Sequence, residues 1–224
     1  MRGKLIVIEG TDCSGKQTQA NKLFSHLSSQ GFKVKTLQFP RYDTPTGIII
    51  GGAYLGKPHI GKCIFPEGAV NVPAKVASLY FAADRVYNIA EINGLLEEGY
   101  IVILDRYVES NMAFQGGKIF DKKERRKMYQ FLHTLEYKLL SLPKPDIKLF
   151  LYMPYECACE LKKNRPEVPD EHEKDEKILR NAENAYKEIA KIYSFETIPC
   201  SDSGRIKGID EISEEVLKTV KKYL

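Results

Sequence analysis

Tryptophan is absent from the 224-residue chain, histidine occurs only four times, and no apolar run approaches the length of a membrane span, which takes roughly 20 residues. After Met1-Arg2-Gly3-Lys4 come only four apolar residues, Leu5 to Ile8, before Glu9, too few for the apolar region of a secretory signal. The five cysteines (Cys13, Cys63, Cys157, Cys159 and Cys200) are odd in number and form no C-x-x-C pair. This argues against a zinc site, a redox dithiol or a disulfide scaffold and fits a reducing cytoplasm. An excess of one charge is also missing: 34 Lys and Arg stand against 30 Asp and Glu, interleaved, for a net +4. No basic or acidic tail offers itself to a nucleic acid or a membrane surface. A chain of this length can bury roughly 70–75% of its unfolded surface and needs no staple. The expectation is one soluble, cytoplasmic domain over residues 1–224.

Short β-branched runs alternate with helical periods. Residues 4–9 read as a strand, 16–30 as a helix ended by Gly31, and 32–39 as a second strand broken by Pro40. Residues 72–98 form a long helix between Pro73 and Gly99, and 100–105 a third strand. A helix over 122–142, a strand over 146–153, a strand over 194–199 and a closing helix over 212–224 complete the pattern. Residues 162–176 are polar, contain Pro166 and Pro169 and have no apolar period, so they read as a mobile lid between two helices. Strands alternating with helices predict an α/β fold with a doubly wound parallel sheet of about five strands flanked by helices.

The first strand runs into Gly10-Thr11-Asp12-Cys13-Ser14-Gly15-Lys16-Gln17-Thr18. Glycines at this spacing let backbone N–H groups turn inward around a phosphate, the next helix adds its positive end, and Lys16 a full charge. The residue after the lysine, usually a magnesium-binding hydroxyl, is Gln17; the hydroxyl comes at Thr18. Asp105, ending the apolar run Ile101–Leu104, stands where a second metal-binding acid belongs, directly or through water. Arg106 follows at the carboxyl end of a central strand, where it can clamp a phosphate. Asp12 would repel phosphates and is expected to face a sugar hydroxyl or a metal.

The run Gly10-x-Asp12-x-x-Gly15-Lys16-x-Thr18, the Phe81-Ala82-Ala83-Asp84-Arg85 segment, Asp105-Arg106-Tyr107 with Ser110, Asn111 and Phe114, and Leu142-Pro143-Lys144-Pro145-Asp146 together resemble thymidylate kinase. The resemblance runs from Lys4 to about Tyr193 and is weakest over residues 54–72. It implies the P-loop nucleoside monophosphate kinase fold, transfer of phosphate from ATP to dTMP with Mg²⁺, and a homodimer to which the 72–98 helix contributes. It also implies roles: Lys16, Arg106, Asp105 and a lid arginine, Arg165, in transfer, with Arg180 second. Arg106 would hold the dTMP phosphate and Asp12 the 3′-hydroxyl, Phe81 would stack on thymine, and Arg85 would donate to its O4. Ser110 and Asn111 match base contacts, Phe114 the aromatic that excludes ribose, and Arg41 a phosphate contact, with Tyr42 the alternative one residue on. Cys200, Ser201 and Asp202 would approach adenine. Lys16, Arg41, Arg85, Arg106 and Arg165 are thus expected to converge on one cleft. A different nucleotide kinase, or a non-catalytic nucleotide binder suggested by Gln17, remains the alternative.

Overall fold

The computed structural model describes residues 2–163 and 175–224. Five strands, β1 (Leu5–Gly10), β2 (Val34–Gln38), β3 (Ile101–Asp105), β4 (Ile147–Tyr152) and β5 (Glu196–Pro199), form one sheet in the order β2-β3-β1-β4-β5, every pair parallel. β1 is central, and its carboxyl end is level with that of β3, Ile8 pairing with Asp105. Every residue of β1 is buried because both faces of the sheet are covered.

The period of two survives inside these apolar runs. Leu5, Val7, Val102, Leu104 and Phe150 face one core, whereas Ile6, Ile8, Ile101, Ile103, Leu149 and Leu151 face the other. Helices α1 (Lys16–Ser29) and α8 (Ile209–Val220) cover the second face through Leu23, Leu27, Ile212 and Val216. On the first face lie α3 (Ala74–Glu97), α4 (Val108–Gly117), α5 (Lys122–His133) and α7 (Glu176–Ile192). A third apolar cluster of Ile50, Tyr54, Leu55, Ala69, Val72 and Ala77 underlies the segment after α2 (Pro45–Ile48). The remaining helix, α6 (Tyr155–Lys163), precedes the undescribed residues.

The element order follows the sequence pattern, with four local differences. Helix α4 escapes a periodicity reading because every one of its residues except Phe114 is buried, and a helix covered on all sides carries no polar stripe. The expected 122–142 helix ends at His133 and continues as a π-turn over Thr134–Leu139. A second π-turn, Ile49–Tyr54, follows α2. After β5, two-residue strands β6 (Ser201–Asp202) and β7 (Arg205–Ile206) form a hairpin whose turn, Ser203-Gly204, has positive φ at both residues, the geometry that matches strand twist.

Candidate functional site

The loop between β1 and α1 is built by glycine. A Cβ on Gly10 would lie 2.5 Å from Ser14 Oγ and 2.7 Å from the Leu151 carbonyl oxygen. Gly15, at φ +80° immediately before α1, offers no side-chain cap to the helix, so its first N–H groups stay available to an anion. Lys16 is buried and its Nζ donates to the Thr11 carbonyl at 2.7 Å. Burial, then the nearby charge of Arg106, lowers its pKa to about 8 against the pull of Asp105, Asp12 and Glu9.

Arg106 leaves β3 in the left-handed region, φ +69°, a conformation that costs a non-glycine residue on the order of 1 kcal/mol or more. The kink carries its guanidinium across to the β1 loop. Nη2 donates to Asp12 Oδ1 at 2.6 Å, and Nη1 lies 3.3 Å from the Gly10 carbonyl and 3.3 Å from the Tyr186 hydroxyl. The Phe114 ring lies beneath, 5.1 Å from the guanidinium carbon. Beneath this arginine Glu9, fully buried, accepts from the backbone N–H of Tyr107 (2.7 Å) and Ser110 (3.0 Å) and from the Ser110 and Tyr186 hydroxyls. Burial raises the Glu9 pKa while these donors and Arg106 oppose the rise. Glu9 thereby ties β1 to the first turn of α4, which supplies Ser110, Asn111 and Phe114.

These two chain segments and α3 enclose a cleft of about 650 Å³ lined by Asp12, Cys13, Gly15, Lys16, Gln17, Thr18, Phe81, Arg85, Asp105, Arg106, Ser110, Asn111 and Phe114. Phe39, Pro40, Tyr42, Leu55, Lys57, Pro58 and His59 contribute further lining. At the inner end Arg85 is buried in a side-on ion pair with Glu136, through Nε and through Nη2 to Oε1 at 2.8 Å. Its pKa lies above the usual value, Glu136 outweighing the cost of burial. Asp105 Oδ1 is buried with no hydrogen-bond partner among the described residues. Those residues hold no cluster of three metal-ligating side chains, so a cation here would share its shell with phosphates. The residues present fit Mg²⁺ on those terms: Asp105 keeps an unpartnered carboxylate oxygen, and the Thr18 hydroxyl lines the same cleft.

Most of the residues expected from sequence meet in this cleft, but not all. Arg41 turns its guanidinium to Asp43 (3.2 Å) and Glu91 (2.7 Å) and is not among the lining residues, because these two carboxylates hold it outside. Tyr42 takes that place, with Lys57 Nζ 5.3 Å from its ring centroid. Arg180 pairs with Glu156 at 2.6 Å and Glu176 at 2.8 Å on the exposed side of α7. Cys200 is fully buried beneath the loop, its thiol 3.9 Å from the Ser14 carbonyl and its pKa pushed up to about 12 by burial; only Ser201 and Asp202 reach solvent. Arg165 and most of the lid expected over 162–176 lie outside the described residues. Of the cations expected to converge, Lys16, Arg85 and Arg106 do so.

Three site residues escape the sequence reading. Glu9 is a lone acid ending an apolar strand. Gln115, fully buried in the cleft lining with neither amide atom bonded among the described residues, directly follows Phe114. Glu136 falls beside the apolar stripe of the 122–142 segment.

The family model described as thymidylate kinase matches residues 8–207. Thymidylate kinase of Mycobacterium tuberculosis (strain H37Rv) is 31% identical over 191 residues, 83% of this chain and 85% of that protein. The enzyme of Schizosaccharomyces pombe is 32% identical over 190 residues, 84% of this chain and 79% of its own. Among solved structures, thymidylate kinase from Candida albicans superposes with a TM-score of 0.74 at 28% identity, covering 99% of this chain and 92% of that one. The loop and the Asp105-Arg106-Tyr107 turn that shape the cleft both fall within the matched span, and the chain belongs to the thymidylate kinase family.

Proposed function

We propose that the protein transfers the γ-phosphoryl group of ATP to the 5′-phosphate of dTMP, giving dTDP and ADP. The observation that carries this reading is the meeting of Lys16 and Arg106, delivered by two adjacent strand ends, in one cleft whose far end is Arg85 and Asn111. The accepting oxygen belongs to a phosphate monoester with a second pKa of about 6, already ionised at neutral pH. No general base is needed, and the chain's task is alignment and charge neutralisation.

Lys16 and the N–H groups opening α1 would bind the donor phosphates. Arg106, fixed by Glu9 and Asp12, would hold the acceptor phosphate in line. Phe81 would stack on the base while Arg85 donates to O4 and the Gln115 amide meets the remaining polar edge. Mg²⁺, held through Asp105 and the Thr18 hydroxyl, would offset the charge on the bridging phosphates. The assignment of Arg165 to the transfer step rests on resemblance alone. We further propose a homodimer of one-domain subunits working in the cytoplasm without nucleic acid or membrane partners. Among the described residues no helix is long and apolar enough to cross a membrane, and α3 exposes an apolar face.

A coupled turnover assay with ATP, Mg²⁺ and a panel of dTMP, dUMP, dCMP, AMP and thymidine tests the reading, with dTMP expected as the preferred acceptor. Arg106→Ala should lower turnover at least a hundredfold, about 2.7 kcal/mol of transition-state stabilisation, with an unchanged circular dichroism spectrum. Preference for a nucleoside or for AMP would overturn it.

A further inference from the structure

Glu136 is completely buried on the π-turn Thr134–Leu139 and touches both side chains that close the inner end of the cleft. Its carboxylate takes Arg85 side-on, and Oε1 also accepts from Asn111 Nδ2 at 3.0 Å. The second Nδ2 hydrogen of Asn111 goes to the Ser78 carbonyl at 3.1 Å. Both neighbours are pure acceptors, so only the NH₂ end of the amide can face them. Asn111 Oδ1 is therefore turned the other way, where it is buried without a partner among the described residues. Arg85 is held just as firmly: Nε, one Nη2 hydrogen and one Nη1 hydrogen (to the Tyr107 carbonyl, 3.3 Å) are used, leaving two of its five N–H groups free to bond a ligand.

We infer that Glu136 is a positioning residue for base recognition, fixing Arg85 as a donor and Asn111 Oδ1 as an acceptor at the inner wall of the cleft. That donor–acceptor order matches a 4-oxo pyrimidine, whose O4 accepts and whose N3–H donates. It opposes cytosine, which offers an N4 amino group and an unprotonated N3. The pairing rule therefore separates thymine and uracil together from cytosine and is blind to the 5-methyl group. The inference rests on the proposed dTMP reading of the same site.

Glu136→Gln tests it. The substituted amide has one acceptor oxygen for three donors: when that oxygen sits on Arg85 Nε, its NH₂ takes the place of Oε1 against Arg85 Nη2 and Asn111, and in that part of the molecules the asparagine amide turns over and presents N–H to the cleft. The expected result is at least a tenfold fall in the ratio of kcat/KM for dTMP over dCMP, carried mainly by KM. The dTMP over dUMP ratio and the KM for ATP should stay within about twofold. Should Glu136→Gln not fold, Glu136→Asp decides by the same ratios, because it keeps the charge Arg85 needs but is too short to reach both partners. An unchanged dTMP over dCMP ratio, or parallel losses for dTMP, dUMP and ATP, overturns the inference. Failure of the underlying reading is separate and visible in the unaltered protein, as absence of dTMP turnover.

Discussion

Lys16 is buried beside a second cation, and that arrangement has a measurable cost. Desolvation and Arg106 hold its pKa near 8, so free protein loses the Lys16 proton as pH rises from 7 to 9. A phosphate ligand selects the protonated form. Nucleotide affinity should therefore be flat below about pH 7.5 and weaken by about tenfold for each pH unit above 8, with proton uptake on binding at pH 8.5. Calorimetric titration with ATP in buffers of different ionisation enthalpy measures both quantities, and Lys16→Met should remove the pH dependence together with most of the affinity. Equal affinity at pH 7 and pH 9 for the unaltered protein would exclude the mechanism. At this scale sequence legibility follows contiguity. Lys16, Asp105 and Arg106 are readable because strand, turn and residue type occur side by side. Glu9, Gln115 and Glu136 are not, since what marks them is total burial of a polar group, a property of packing between distant segments. Arg41 lies away from the cleft lining for a related reason: nothing local announces that Glu91, fifty residues on, pairs with it.

Helix α4 is the element on which the site turns. It carries Ser110, Asn111, Phe114 and Gln115 along its length, is tied at its start by Glu9, and is followed by Lys118, which reaches the wall of the cleft. Lys118 Nζ donates to the Tyr54 hydroxyl (3.0 Å) and to the carbonyls of Ala69 (2.9 Å) and Val72 (3.0 Å), using all three ammonium hydrogens. These acceptors belong to the third apolar cluster, which backs Leu55 and the segment bearing Lys57. Lys118→Met keeps the stem but leaves the buried Val72 carbonyl without a donor, at about 1–3 kcal/mol, while the Tyr54 hydroxyl and the Ala69 carbonyl keep their mutual hydrogen bond. We expect a melting temperature lower by several degrees and a raised KM for dTMP, with the KM for ATP unaltered because the loop at α1 does not touch this cluster. Unaltered stability and acceptor KM would show that the wall holds without the cap. The sheet and its flanking helices are legible at this scale because their apolar periods are long. Helix α4 and the two π-turns are not, because burial on all sides erases the stripe and a π-turn differs from an α-turn by one residue.

For the whole molecule, net charge says little and the placement of apolar residues says more. Helix α3 carries apolar residues on two sides: Ala77, Ala82, Ile92 and Leu96 are buried along with Asp84, Asn88 and the cleft residue Arg85, whereas Val76, Leu79, Val86 and Tyr87 are exposed, Leu79 at 50% and Tyr87 at 58%. Ile48 and Ile49, each 49% exposed, add to this apolar exposure. Apolar residues recurring at three- and four-residue spacing on an uncovered helix face favour burial against a partner, and a second copy of the same helix supplies a self-complementary surface. Such a contact would bury roughly 800 Å² per subunit in an ordinary stable dimer. It would also brace the helix that carries Phe81 and Arg85. Leu79→Arg, which places a charge on this exposed face, should yield a monomer by sedimentation equilibrium with helix content retained. Its KM for dTMP should rise more than its KM for ATP, because α3 carries Phe81 and Arg85 while the loop proposed to bind the donor phosphates runs from β1 into α1. A protein that sediments as a monomer before substitution, or a Leu79→Arg variant that remains dimeric, would leave the exposed face of α3 without this role.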